Sequence, residues 1–261
     1  VLFKFLSLCL SLIVCLSAYA DDDELAKKLT NPVADLISMP VQANYDTGFG
    51  PDDGHRTTVN VQPVIPIEMN DDWNMVSRTI LPLIEQNDVA GSSGSQSGTG
   101  DIVQSLFFSP KRPTNNGWIW GAGPVFLLPT ASDELLGTEK WGLGPTAVLL
   151  KMEQGWSYGA LANHIWDIAG EDKRDDVNAS FIQPFLTYTH KGWTYTLQTE
   201  STYDWKNSQW NIPINAVLSK VIHIGRLPVS FAGGVRYWAG APEQGAEGWG
   251  ARFAVTAMLP R

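Results

Sequence analysis

Residues 193 to 205 alternate strictly. Trp193, Tyr195, Leu197, Thr199, Ser201, Tyr203 and Trp205 fall on one face, and Thr194, Thr196, Gln198, Glu200, Thr202 and Asp204 on the other. Side chains two apart share one side of a β-strand, so this is a thirteen-residue strand with an apolar and a polar face. Strands of soluble sheets usually run about 5–6 residues, whereas a tilted strand crossing a bilayer needs about 9–11. Eleven further segments read the same way: 41–49, 56–68, 73–86, 100–109, 118–129, 141–152, 156–168, 177–189, 210–220, 227–238 and 249–260. In the last, Trp249, Ala251, Phe253, Val255, Ala257 and Leu259 alternate with Gly250, Arg252, Ala254, Thr256 and Met258. The pattern is less clean in 73–86, 156–168 and 177–189, where both faces carry apolar groups.

An even number of long strands predicts an all-β fold: an antiparallel transmembrane β-barrel of about 12 strands with a short N-terminal helical segment. Closure leaves no unpaired backbone edge in lipid. The connections alternate, averaging about 9 residues on one side and about 5 on the other, as for long extracellular loops and short periplasmic turns. Gly91–Gly98 reads as a flexible loop. Near-zero mean hydropathy fits this fold, because the polar lumen face is averaged with the apolar outer face. Prolines 63, 66, 82, 124, 145, 184 and 213 fall inside these strands and oppose the assignment, since proline donates no ladder bond.

Tryptophan carries the most specific signal. Trp73, Trp118, Trp120, Trp156 and Trp193 follow the short turns; Trp141, Trp166, Trp205, Trp210, Trp238 and Trp249 lie beside the long loops. Two rows of indoles are expected at the two membrane interfaces, where the ring is half apolar and its N–H is hydrated. A soluble sandwich would place some indoles mid-strand in its core.

Residues 1–20 have Lys4, an apolar run from Phe5 to Leu16, and Ala18-Tyr19-Ala20, the layout of a secretory signal peptide with its cleavage site. Removing it deletes both cysteines and leaves a formal charge of −10, so a disulfide scaffold, zinc-thiolate site or cysteine enzyme is excluded. The acidic balance argues against nucleic acid as a partner. The sequence thus divides into a signal peptide (1–20), an N-terminal helical segment (21–40) and an outer-membrane barrel (41–261). Within the helical segment, Asn31-Pro32 reads as an N-cap and first helical position, predicting two short helices. That segment could plug the lumen, lie along the periplasmic interface or form a loose tail; its shortness favours the last two.

Several phrases resemble a family of bacterial outer-membrane "transporter" barrels. They include Gln62-Pro-Val-Ile-Pro66, Ser77-Arg-Thr-Ile-Leu-Pro82, Gly121-Ala-Gly-Pro-Val-Phe-Leu-Leu-Pro-Thr130, Asn163-His-Ile-Trp166 and Gly234-Val-Arg-Tyr-Trp238. The family is similar to the barrels linked with the meta-pathway of phenol degradation, and some members carry the misleading label neuromedin U. The resemblance implies passage of small, aromatic or hydrophobic molecules and names no substrate. The partners expected are outer-membrane lipid, lipopolysaccharide, an unidentified small solute and, during biogenesis, the barrel assembly machinery.

On the strand pattern the candidate lumen-lining binding residues are Asp46, Arg78, Glu200, Asp204, Arg236 and Arg252, among neutral polar groups such as Asn44, Gln62, Gln198 and Asn215. A lipid-facing Arg near the midplane costs about 2–4 kcal/mol, which directs these charges inward. Arg236 and Arg252 fall near Asp46 across the closure to the first strand. They read either as a charged constriction that selects solutes by field or as an ion-pair network filling the lumen.

The competing class is an outer-membrane lipid-modifying enzyme, which needs a Ser nucleophile within reach of a His base. His55, His190 and His223 fall in loops or turns, and His164 has no nearby Ser motif in sequence, so no catalytic residue is assigned. No metal-ligand spacing occurs and no cofactor is expected. A non-conducting structural barrel is the third reading. The acidic clusters Asp52-Asp53, Asp71-Asp72 and 172–176 read as solvated loops.

Overall fold

The computed structural model describes residues 22–259, so the expected signal peptide lies outside the described residues. Fifteen strands follow in order: β1 (Ile37–Phe49), β2 (Gly54–Val61), β3 (Val64–Glu68), β4 (Trp73–Asn87), β5 (Ser95–Thr99), β6 (Ile102–Pro110), β7 (Trp118–Leu128), β8 (Lys140–Glu153), β9 (Trp156–Gly170), β10 (Asn178–His190), β11 (Trp193–Thr199), β12 (Ser201–Asp204), β13 (Gln209–Ile224), β14 (Leu227–Gly240) and β15 (Gly248–Leu259). β2 with β3, β5 with β6 and β11 with β12 are interrupted halves of single staves, so the wall has twelve. Each stave pairs antiparallel with the next, and β15 returns to β1 through the register Ile37↔Leu259 to Tyr45↔Ala251. The barrel is closed, and its backbone bonds are spent between staves.

The strand spans expected from the sequence coincide with these staves to within a few residues at most ends. Three differences are informative. β1 starts at Ile37 rather than 41, because residues 37–40 pair with the end of β15. The segment expected as a loose loop at 91–98 is already strand from Ser95, held on β4 by Asn87↔Ser95 and its neighbours. β13 runs on to Ile224, so His223 sits on a strand rather than in a turn.

Two of the seven prolines fall where the ladder opens, while Pro66, Pro82 and Pro184 stay in register within paired strands. Pro63 occupies the gap between β2 and β3, Pro213 sits at the β13–β14 bulge, and Pro124 lies directly opposite Pro145. The connections at one end, where β1 begins and β15 finishes, are 69–72, 111–117, 154–155, 191–192 and 225–226; this is the turn end. The other, the loop end, carries 50–53, 88–94, 129–139, 171–177, 205–208 and 241–247. The length asymmetry is uneven, since 111–117 matches most of the loops opposite.

The outer face is apolar. Exposed large hydrophobic side chains outnumber the buried ones among the described residues, and they include Val41, Leu149, Leu186, Leu197, Leu218 and Val235 at mid-height. Aromatic contacts edge this band at both ends: Trp73–Trp120, Trp118–Tyr158 and Trp156–Tyr188 at the turn end, Tyr203–Trp205, Tyr203–Trp210 and Tyr237–Trp249 at the loop end. One expected member is displaced. Trp238 shares the parity of Arg236 and points into the lumen, where its N–H donates to Asp46 Oδ1 at 2.9 Å.

The N-terminal segment enters the turn end of the barrel. Among the described residues it forms one helix, over residues 22–29. Asn31 does not cap a second one: its Oδ1 accepts from Val33 N at 3.0 Å and its carbonyl from Ala34 N at 3.1 Å, making a turn that delivers the chain to β1. Leu25, Ala26, Ala34 and Leu36 bury against Val221 and Met258, and Val33 against Val76, Phe107, Val148, Leu150 and Leu161. A Cβ on Gly121 would stand 3.0 Å from Val33 Cγ1, so glycine there makes the room Val33 uses. Thr30 Oγ1 donates to Lys27 O at 2.8 Å and lies 3.1 Å from Ser157 Oγ on the inner wall. This overturns the reading of the segment as a tail or a surface helix, because its apolar side chains find a matching apolar patch inside.

Val33 supplies the test of this packing. Val33→Asp would bury an unpaired carboxylate, at a cost of several kcal/mol. The segment should then leave the mouth and become cleavable by trypsin after Lys27 and Lys28, while the barrel keeps its folded mobility in unheated SDS gels. Equal trypsin resistance in wild type and variant would contradict the packed arrangement.

Candidate functional site

The inner wall has two unlike halves. From β4 to β9 it carries buried aliphatic and aromatic groups, Val76, Phe107, Val125, Leu127, Val148, Leu150 and Leu161. From β10 round to β2 its mid-height is polar, with Gln183, Thr196, Gln198, Asn215, Asn44 and Gln62. The alternation that points Leu197 and Tyr195 outward turns Gln198 and Thr196 inward.

Glu200 is the hub of a charged bridge across the polar half. Arg252 grips it with two bonds, Nη1 to Oε1 at 2.8 Å and Nη2 to Oε2 at 2.6 Å. Arg236 Nη2 reaches the same carboxylate at 3.2 Å, while its Nη1 donates to Asp46 Oδ2 at 3.0 Å. Gln198 Nε2 adds a bond to Glu200 Oε1 at 3.1 Å, and Arg252 Nε donates to Asn44 Oδ1 at 2.7 Å. The Arg252 side chain is 2% exposed and that of Asp46 7%, so these pairs are largely withdrawn from solvent. The Arg236 guanidinium also lies 5.0 Å from the Trp238 ring. Fork-to-carboxylate geometry of this kind fixes direction as well as charge.

Of the six residues singled out from the sequence, Asp46, Glu200, Arg236 and Arg252 come together in this bridge. Arg252 reaches Asn44 and Glu200 rather than Asp46. Arg78 stands below, on β4, donating to Gln62 Oε1 at 3.1 Å. Asp204 belongs elsewhere: its carboxylate accepts from Lys206 N at 2.8 Å and from Asn207 N at 3.2 Å, shaping the tight 205–208 loop. An Asp one residue before a tight loop is a turn former by type, which the strand parity alone concealed. Trp238 was missed as a lumen residue, although its place two residues after Arg236 puts both on one face.

Between the N-terminal segment and the Glu200 bridge lies a chamber of about 280 Å³, lined by Arg78, Gln62, Gln183, Gln198, Leu161 and Phe185 among others, with Arg252 in its roof. The loop end is narrowed too. Residues 129–139 fold inward, Leu136 is buried and Leu135 O accepts from Gln86 Nε2 at 3.4 Å. Arg174 from the neighbouring loop donates to Glu134 O and Gly137 O, each at 2.6 Å. Asp176 beside it binds Lys206 Nζ at 2.7 Å, and that ammonium holds the Asp176 carboxyl below the usual carboxylate range.

The structure brings a serine to His164, which sequence proximity could not reveal. His164 Nδ1 lies 2.7 Å from Ser180 Oγ, across the β9–β10 pairing and on the outer face. Ser180 Oγ also accepts from Trp205 Nε1 at 2.9 Å, and the His164 ring packs 4.0 Å from Trp166. The hydroxyl therefore has both its neighbours, and among the described residues His164 Nε2 has no acidic partner to orient it. This is the hydrogen-bonded pattern of an interfacial aromatic cluster.

No protein-family model and no curated relative matches the chain. Among solved structures it is similar to the COG4313 outer membrane channel from Pseudomonas putida F1, with a TM-score of 0.67 and 14% identity over 86% of this chain and 95% of that one. It is also similar to the NanC porin, with a TM-score of 0.52 and 13% identity over 85% of this chain and 100% of that one. The shared feature is the fold, that of outer-membrane β-barrels.

Loss of Arg252 should expose the cost of the bridge. Arg252→Ala leaves Glu200 facing one guanidinium, and removing one member of a buried pair typically costs about 3–5 kcal/mol. Urea unfolding in lipid vesicles, followed by tryptophan emission, should show that loss, and adding Glu200→Gln should recover part of it. Strictly additive effects of the two substitutions would mean they do not interact.

Proposed function

We propose that this chain is a non-enzymatic outer-membrane channel, exported by its signal peptide in a Gram-negative cell, for passive passage of a small solute. The observation that carries the reading is the chamber: a roofed, amphipathic space inside a closed barrel whose outside is apolar. A barrel serving only as an anchor has no need of lumen charges held this carefully. The chain is similar in fold to an outer membrane channel and to a porin, which supports the same reading. The finer assignment, to the transporter barrels related to phenol meta-pathway proteins, rests on the sequence phrases and suggests an aromatic or hydrophobic solute. Outer-membrane lipid and lipopolysaccharide then surround the apolar wall, and the barrel assembly machinery inserts it.

The lumen bridge sets the ionic character. Around the bridge Arg56, Arg78, Arg236 and Arg252 face inward against Asp46 and Glu200, so this stretch of the path is net positive although the chain is acidic. Purified protein in planar bilayers should give discrete conductance steps with a preference for chloride over potassium. Arg236→Ala with Arg252→Ala leaves two carboxylates in the path and should move the preference toward potassium. A bilayer that stays silent at high protein density would reject the channel reading.

A further inference from the structure

We propose that the chamber below the Glu200 bridge is a binding site for a small amphiphilic monocarboxylate, whose carboxylate sits on Arg78 and whose apolar body lies against Leu161 and Phe185. The argument starts from the charges. Glu200 accepts from Arg252 and Gln198 on Oε1 and from Arg252 and Arg236 on Oε2, so both of its oxygens are occupied. Asp46 is likewise taken by Arg236 and Trp238. Arg78 is left with one side-chain bond among the described residues, to the neutral Gln62 at 3.1 Å. A guanidinium has five N–H donors in a fixed fork, and a carboxylate matches two of them at once.

The shape of the chamber completes the ligand. Its volume of about 280 Å³ lies at the lower end for small-molecule sites, which suits a body of one ring or a short chain. Leu161 and Phe185 line it and pack with the apolar cluster around Phe107 and Leu150, whereas Gln183 and Gln198 lie beside them, in register with Leu161 and Phe185 on the adjoining staves. A ligand apolar at one end and anionic at the other satisfies both kinds of side chain, while a fully apolar one leaves the half-buried Arg78 with only the neutral Gln62 as a direct hydrogen-bond partner and Glu200 acting from a distance. A dianion would bring more charge than the single Arg78 guanidinium balances. Arg252 in the roof offers no second fork, because each of its three nitrogens already donates to Glu200 or Asn44.

This inference rests on the reading of the lumen as a solute path, and the two are separable by experiment. Benzoate and hexanoate, with benzyl alcohol and hexanol as their uncharged counterparts, would be titrated calorimetrically into the full-length mature protein in detergent. At least one carboxylate should bind better than its alcohol, and Arg78→Gln should weaken it by about tenfold or more while leaving the alcohol unchanged. Retained heat-dependent gel mobility shows that the variant is folded, and Arg78→Lys should restore part of the binding. Neither carboxylate binding the wild type, or binding that is indifferent to Arg78→Gln, overturns the proposal. Conductance without carboxylate binding would sink the chamber and keep the channel; Arg78-dependent binding in a silent barrel would do the reverse.

Discussion

Backbone hydrogen bonding inside lipid is the constraint on which everything else in this molecule depends. Each peptide group in the hydrocarbon layer has to find a partner within the protein, and a sheet can meet that demand only by closing on itself. The pairing of β1 with β15, from Ile37↔Leu259 to Tyr45↔Ala251, is where this chain does so. Closure commits one face of every stave to the outside and the other to a narrow interior. The placement of Arg252 opposite Asn44 on the adjoining staves is a direct product of that register.

The interior then has a problem of its own, since charges brought into it lose water. Glu200 solves this for two arginines by using both oxygens, and Asp46 anchors the second of them to the stave across the closure. Such buried pairs add little net stability over apolar packing, yet they are costly to break singly. Their value here is positional: they hold a polar roof over a chamber whose floor is the N-terminal segment. Apolar contacts secure that floor, with Val33 seated on the Phe107 and Leu150 side and Leu25 on Val221 and Met258. Polar roof, apolar floor and two-faced wall together define a space suited to molecules that are themselves two-faced.

Much of this was legible in the chain. Period-two alternation located the staves, because a residue such as Leu197 or Glu200 declares its face by parity alone. Parity also directed Asp46, Arg236 and Arg252 inward. Closure of the barrel also places Arg236 and Arg252 near Asp46; what parity could not supply was the register that gives Asp46 to Arg236 while sending Arg252 to Asn44 and Glu200. The His164–Ser180 contact was hidden for the same reason, being set by stave register rather than by any local motif. Trp238 was misread because tryptophan's preference for interfaces was allowed to outweigh its position relative to Arg236. The N-terminal segment is too short to declare a core of its own, and its apolar residues find their other half only in the lumen, at Val76, Phe107 and Met258.

Depth-dependent quenching of tryptophan by brominated lipids tests the central claim, that this outer wall lies in a bilayer with its indoles in two interfacial rows. Purified protein would be refolded into vesicles brominated near the headgroup or near the chain ends. The exposed indoles, Trp120, Trp141, Trp156, Trp166, Trp193, Trp205, Trp210 and Trp249, lie at the two margins of the apolar band. Emission should therefore be quenched strongly by the shallow bromines and weakly by the deep ones, with a residue of unquenched light from Trp238 in the lumen. Emission untouched by either lipid, or quenched most by bromines at the bilayer centre, would contradict the account.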